Sequence, residues 1–133
     1  MKNYWMGAFG ACVAVMVVSV PAASAGAPEK LSFGPGRPGP AGNILFGQDT
    51  FQAVCWACHS HDLSGGKAPP LTGPKFYRNW QGKSVDALSD FIRNRMPQDN
   101  PGSLSEPMAR DLVAYIVAYA NHPGNPAGGR AGK

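Results

Sequence analysis

The chain has 133 residues, with 17 Gly, 13 Pro, 44% apolar residues and a net charge of +4 from 12 Lys plus Arg against 8 Asp plus Glu. That length and composition suit one small domain with a real core and long irregular connections. Charged residues make up only 15% of the chain and never run more than two alike, which excludes a polyelectrolyte tail and a basic nucleic-acid arm, so nucleic acid is not a partner.

Lys2 is followed by an uncharged stretch whose apolar centre, Ala11 to Val20, ends at Pro21 and the small residues Ala22-Ala23-Ser24-Ala25. Residues 1–25 therefore read as a secretory signal peptide cleaved after Ala23-x-Ala25. The rival, an uncleaved anchor helix, needs about 20 apolar residues and meets Pro21 instead. Cys12 precedes most of the apolar run, so it does not suit a lipoprotein. Cleavage leaves an exported, periplasmic chain with no transmembrane segment, a net charge of +3 and two cysteines, Cys55 and Cys58. In an oxidising compartment both thiols are expected to be committed to a disulfide, a metal or a covalent cofactor.

Residues 26–42 carry Pro28, Pro35, Pro38 and Pro40 among five glycines without apolar periodicity, and read as an extended Gly/Pro-rich arm that need not be ordered. The folded domain spans residues 43–121. Asn43 is placed to cap a first helix with Ile44, Gly47, Phe51 and Val54 on one face. A long Gly- and Pro-rich connection, Ser60 to Ser84, follows without a strand pattern, and such a loop needs something to fill its centre. Ser84 caps a second helix with Val85, Leu88, Phe91 and Ile92 on one face, stopped by Met96-Pro97. Ser105 precedes a third helix, with Glu106 and Pro107 in its first turn and Leu112, Tyr115, Ile116 and Tyr119 on its apolar face. Residues 122–133 read as a flexible tail.

Cys55-Trp56-Ala57-Cys58-His59 is the pattern that attaches c-type haem. Two thiols separated by two residues reach the two vinyl groups on one porphyrin edge, and the next histidine ligates iron from below. A redox dithiol and a zinc site share the C-x-x-C core. The first expects a βαβ context, and the second needs His61 and His122, which lack paired ligand spacing. For the position opposite His59, Met96 stands where a helix stops at a loop stiffened by Pro97, whereas Met108 lies in a helical turn and suits a gap-filling core role. A plain core role is the alternative for Met96.

Beyond the motif, Gly47, Phe51 and Cys55 at successive turns, Asp111-Leu112-Val113-Ala114-Tyr115, and Pro69-Pro70-Leu71-Thr72-Gly73 resemble class I (mitochondrial-type) monohaem cytochrome c. The resemblance implies an all-α cytochrome c fold, three to four helices wrapped around one covalently attached haem c, with Gly47 and Phe51 crossing Leu112 and Tyr115. It implies that the Pro69 carbonyl accepts from the His59 ring. It also implies that Phe76, Tyr77 and Trp80 form an aromatic cluster with the Trp80 indole directed at a propionate, a role that a plain core position rivals. Lys75 and Arg78 are candidates for propionate contacts or for solvated surface. The loop pattern Met96-Pro97, Pro101-Gly102-x-Leu104-Ser105 is closest to cytochrome subunits and domains associated with quinoprotein dehydrogenases.

The function expected is therefore electron transfer and not an enzymatic reaction. A periplasmic carrier would move single electrons between exported redox proteins, such as a dehydrogenase donor and an oxidase or cytochrome acceptor. The rivals are a fixed haem subunit of a dehydrogenase or oxidase complex, and an open-site haem enzyme or gas binder.

Overall fold

A computed structural model of the chain describes residues 26–122; the expected signal peptide and the tail beyond His122 lie outside the described residues. The three expected helices form behind their caps. In α1 (Ile44–Val54) the Asn43 side chain accepts from the Leu45 and Phe46 N–H groups at 3.1 and 3.2 Å. These are donors that the first turn cannot satisfy internally. A single further turn, α2 (Trp56–His59), continues from α1 through Cys55. Ser84 caps α4 (Val85–Arg95) by accepting from Ala87 N–H at 3.1 Å, and Ser105 caps α5 (Glu106–Asn121) with Pro107 in the first turn.

The expected loop between Ser60 and Ser84 contains another helix, α3 (Gly73–Trp80). Gly73-Pro74 punctuates like a loop in sequence, yet a proline in the first helical turn loses no hydrogen bond there. The architecture is all-α with five helices; among the described residues the only sheet-like pairing recorded is an isolated bridge between Lys30 and Ser84.

The principal helix pairings are α1 across α5 and α4 beside α5. At the crossing, a Cβ on Gly47 would stand 2.6 Å from the Asp111 carbonyl carbon and 2.8 Å from Tyr115 Cβ, so only glycine lets the two backbones touch. Phe51 is fully buried beside Tyr115, with ring centroids 5.5 Å apart, and Leu112 is in the same core. The apolar faces are narrower than their periodicity implied. Ile44, Val54 and Phe91 are each close to half exposed, and Met108, expected as core filler, is 38% exposed.

The arm is extended and also fastened. Leu31 and Phe33 are buried in the core, and the Asn121 side chain at the end of α5 holds the backbone between Ser32 and Arg37.

Candidate haem-binding site

Cys55 caps the end of α1, its N–H donating to Phe51 O at 2.9 Å, and the turn of α2 follows with His59 N–H donating to Cys55 O at 3.0 Å. Helical winding over these five residues sets Cys58 and His59, three and four residues further along, on the same side as Cys55 about one turn away. Cys55 is half-buried and Cys58 exposed, and they are not joined in a disulfide. Burial first, and the neighbouring Cys58 second, push the Cys55 thiol up to about 11. A redox dithiol requires the opposite, a depressed pKa that supplies thiolate near neutrality. Zinc fares no better, since no group of three or more His, Cys, Asp or Glu side chains suited to a metal ion occurs among the described residues. His61 is engaged elsewhere, stacked on Trp56 at 4.1 Å and hydrogen-bonded through Nδ1 to Gln52 Oε1.

After His59 the chain doubles back on itself. Gly65 N–H donates to His59 O at 3.0 Å, Ala68 N–H to Cys58 O at 2.9 Å, and Leu71 N–H to Leu63 O at 2.9 Å, while the Ser60 hydroxyl donates to Gly65 O. Ser60 and Leu63 adopt positive φ angles of 65° and 58°, an unusual conformation for side-chain-bearing residues, and the fully buried Leu63 side chain holds the turn in place. The clip delivers Pro69 O to 2.8 Å from His59 Nδ1. A carbonyl can only accept, so in the neutral ring Nδ1 carries the proton and Nε2 holds the lone pair that a metal would take. The structure thus brings together Cys55, Cys58, His59 and Pro69.

Met96 caps the end of α4, its N–H donating to Ile92 O at 2.9 Å. With Cys55, Leu71 and Trp80 it belongs to the apolar residues that pack on the core while remaining half covered. Met96, Phe91, Asn94, Arg95, Gln98 and Pro101 line an open depression of about 630 Å³, half of whose lining residues are polar; Cys55, Cys58 and His59 do not line it. Trp80 packs on Phe91, their rings edge-to-face at 5.5 Å, and the Lys83 ammonium stands 4.9 Å from the Trp80 ring centroid. Lys75 and Arg78 are exposed. Met108 does not line the depression. Phe91 is the residue whose place the sequence reading missed, because helical periodicity marks a face as apolar without telling a core contact from the wall of an open depression.

Two thiols and an imidazole on one turn, with a soft thioether at the end of α4, are donors whose chemistry fits haem c. A family model described as cytochrome c oxidase, cbb3-type, subunit III matches residues 42–116. The chain belongs to this cbb3-type cytochrome c family. Relatives of this cytochrome c include the thiosulfate dehydrogenase of Allochromatium vinosum, 33% identical over 83 residues that make up 56% of the chain and 31% of the relative. The thiosulfate dehydrogenase of Stutzerimonas stutzeri is 32% identical over 111 residues, 72% of the chain and 36% of the relative. The cytochrome therefore spans about a third of the length of these curated relatives. Among solved structures, the thiosulfate dehydrogenase TsdBA from Marichromatium purpuratum is similar at 25% identity and TM-score 0.45, over 65% of this chain and 20% of that one. Cytochrome cL from Hyphomicrobium denitrificans is similar at 19% identity and TM-score 0.44, over 55% and 45%. Family membership implies haem c as the cofactor. No helix among the described residues is long and apolar enough to cross a membrane.

Proposed function

We propose that this cytochrome c is a periplasmic single-electron carrier holding one haem c, attached through Cys55 and Cys58 and ligated by His59 and Met96. The observation that carries the reading is the 2.8 Å approach of His59 Nδ1 to Pro69 O, because it orients the ring and, in its neutral form, assigns the lone pair to Nε2, on the same turn as two thiols. When bound, haem c supplies a reversible one-electron iron couple. The protein supplies the rest. Cys55 and Cys58 would hold the porphyrin by its edge, Met96 would offer a thioether from the end of α4, and Phe91, packed on Trp80, lies beside Met96. A small net charge suits brief docking to exported redox partners with moderate salt sensitivity.

A second reading has its own support: the named relatives are dehydrogenases of which this chain matches about a third, which suits a haem subunit that takes electrons from a separate catalytic part. The test is acid–acetone extraction of one sample of the purified holo-protein and a redox titration of another. Haem retained on the polypeptide and a one-electron Nernst curve are expected; extractable haem, or avid binding of carbon monoxide by the unaltered ferrous protein, would overturn the carrier assignment. Size-exclusion chromatography of the native extract separates the two readings, a free carrier eluting at its own mass and a subunit with its complex.

A further inference from the structure

Helix α3 supplies Phe76, Tyr77 and Trp80, yet it takes no part in the principal helix pairings, α1 with α5 and α4 with α5. The arm takes over that packing. Phe33 stacks on Tyr77 with ring centroids 4.8 Å apart and planes within 16°, and meets Phe76 edge-on at 5.5 Å. From Phe33 the aromatic contacts run through Phe76, Trp80 and Phe91, with centroid spacings of 6.4 and 5.5 Å for the last two pairs, and Phe91 lines the open depression with Met96.

The same stretch also fixes the turn that joins α3 to α4. Val85 N–H donates to Glu29 O at 2.8 Å, Leu31 N–H to Lys83 O at 2.8 Å, Gly82 N–H to Leu31 O at 3.0 Å, and Phe33 N–H to Gln81 Oε1 at 3.0 Å. Its far end is anchored by one residue. Asn121, buried at the end of α5, accepts Gly34 N–H on Oδ1 at 2.9 Å and donates from Nδ2 to Ser32 O and Arg37 O at 3.0 and 3.2 Å. Its own carbonyl accepts Gly36 N–H at 3.1 Å. Residues 29–37 lie outside the range that the family model matches, which begins at residue 42.

We infer that residues 29–37 are a strap that sets the environment of the redox centre, with Asn121 and Phe33 as positioning residues that keep Phe76 and Tyr77 dry behind Trp80 and Phe91, the latter beside Met96. The inference rests on the electron-carrier reading above. Asn121 acts by fixing the strap, and the strap acts by covering Phe76 and Tyr77, each no more than 6% exposed. Water admitted to these aromatics raises the local dielectric and stabilises the more highly charged ferric state, so loosening the strap lowers the reduction potential.

The experiment uses haem-loaded protein and two readouts. Trypsin cleavage after Lys30 reports strap release, because Leu31 N–H is tied to Lys83 O in the fastened state. The midpoint potential reports the haem environment. Asn121→Ala is expected to speed cleavage roughly tenfold or more, since three side-chain hydrogen bonds are lost together. It is also expected to move the ferric/ferrous ratio several-fold toward ferric at fixed ambient potential, with the near-infrared sulfur–iron absorption retained.

Phe33→Leu keeps every backbone bond of the strap. It is expected to leave cleavage unchanged while shifting the midpoint in the same direction by less. Unchanged cleavage in Asn121→Ala refutes the anchor, and faster cleavage with an unmoved midpoint refutes the link to haem. If Asn121→Ala yields no loaded protein, Phe33→Leu decides alone, an unmoved midpoint overturning the inference. Haem extractable from the unaltered protein fails the carrier reading instead, so the two failures are distinguishable.

Discussion

Replacing Gly47 by Ala adds one methyl group at the crossing of α1 and α5, and elementary helix physics alone favours the change. Alanine gains about 1 kcal/mol over glycine in a helix interior. Against that, the new carbon would press on the Asp111 carbonyl oxygen and stand only 2.6 Å from its carbon, and ordinary contact needs about 3.4 Å, so the backbones must separate by at least about 0.8 Å. The obstacle is main chain in α5, which no rotamer change can move aside. Overpacking of this kind costs about 1–3 kcal/mol and sometimes more, and a backbone clash at the principal helix pairing belongs at or above the top of that range, for a net loss of about 2 kcal/mol. For a domain of this size that is a fall in Tm of roughly 8–16 °C. Gly39→Ala is the matched control, because its Cβ would meet nothing nearer than 3.9 Å; it should be neutral or gain up to about 1 kcal/mol. Thermal unfolding of the two holo-variants by circular dichroism at 222 nm decides the matter. A Gly47→Ala protein melting within about 2 °C of the unaltered one would refute the close-crossing argument.

Met96→Ala is expected to abolish the weak near-infrared sulfur–iron absorption, lower the midpoint potential and admit carbon monoxide to the ferrous protein, while Met108→Ala changes none of the three. Ser89 Oγ is buried without a hydrogen-bond partner, so Ser89→Ala should leave stability unchanged or raise it by up to about 1 kcal/mol, read as the urea midpoint; a loss above 1 kcal/mol would show that the hydroxyl is engaged. Intact mass of the secreted protein should correspond to a chain starting at or near Gly26, and a mass retaining residues 1–25 in a membrane fraction would support the anchor instead.

The helices that announce themselves with capping side chains were legible in advance: Asn43, Ser84 and Ser105 each accept from the first turn they precede. The grouping of Cys55, Cys58 and His59 was legible because these residues are nearly contiguous and one turn brings them together. α3 was hidden by Gly73-Pro74, whose turn chemistry also serves a helix start. The arm misled for a different reason. Leu31 and Phe33 are only two apolar residues among prolines and glycines, too few to display a period, and their burial depends on Asn121, about ninety residues away and in no motif. Ile44, Val54 and Phe91 were placed on apolar faces and are close to half exposed, since periodicity says which way a side chain points and not what stands there.

Gly47 in the first long helix is sealed by Asp111 and Tyr115 in the last. A chain made from its N-terminus presents Cys55 to His59 well before residues 106–121 exist to cover α1, and contacts so distant in sequence close late. The thiols and the imidazole of that turn are thus reachable from both sides until the sixteen residues of α5 dock across α1.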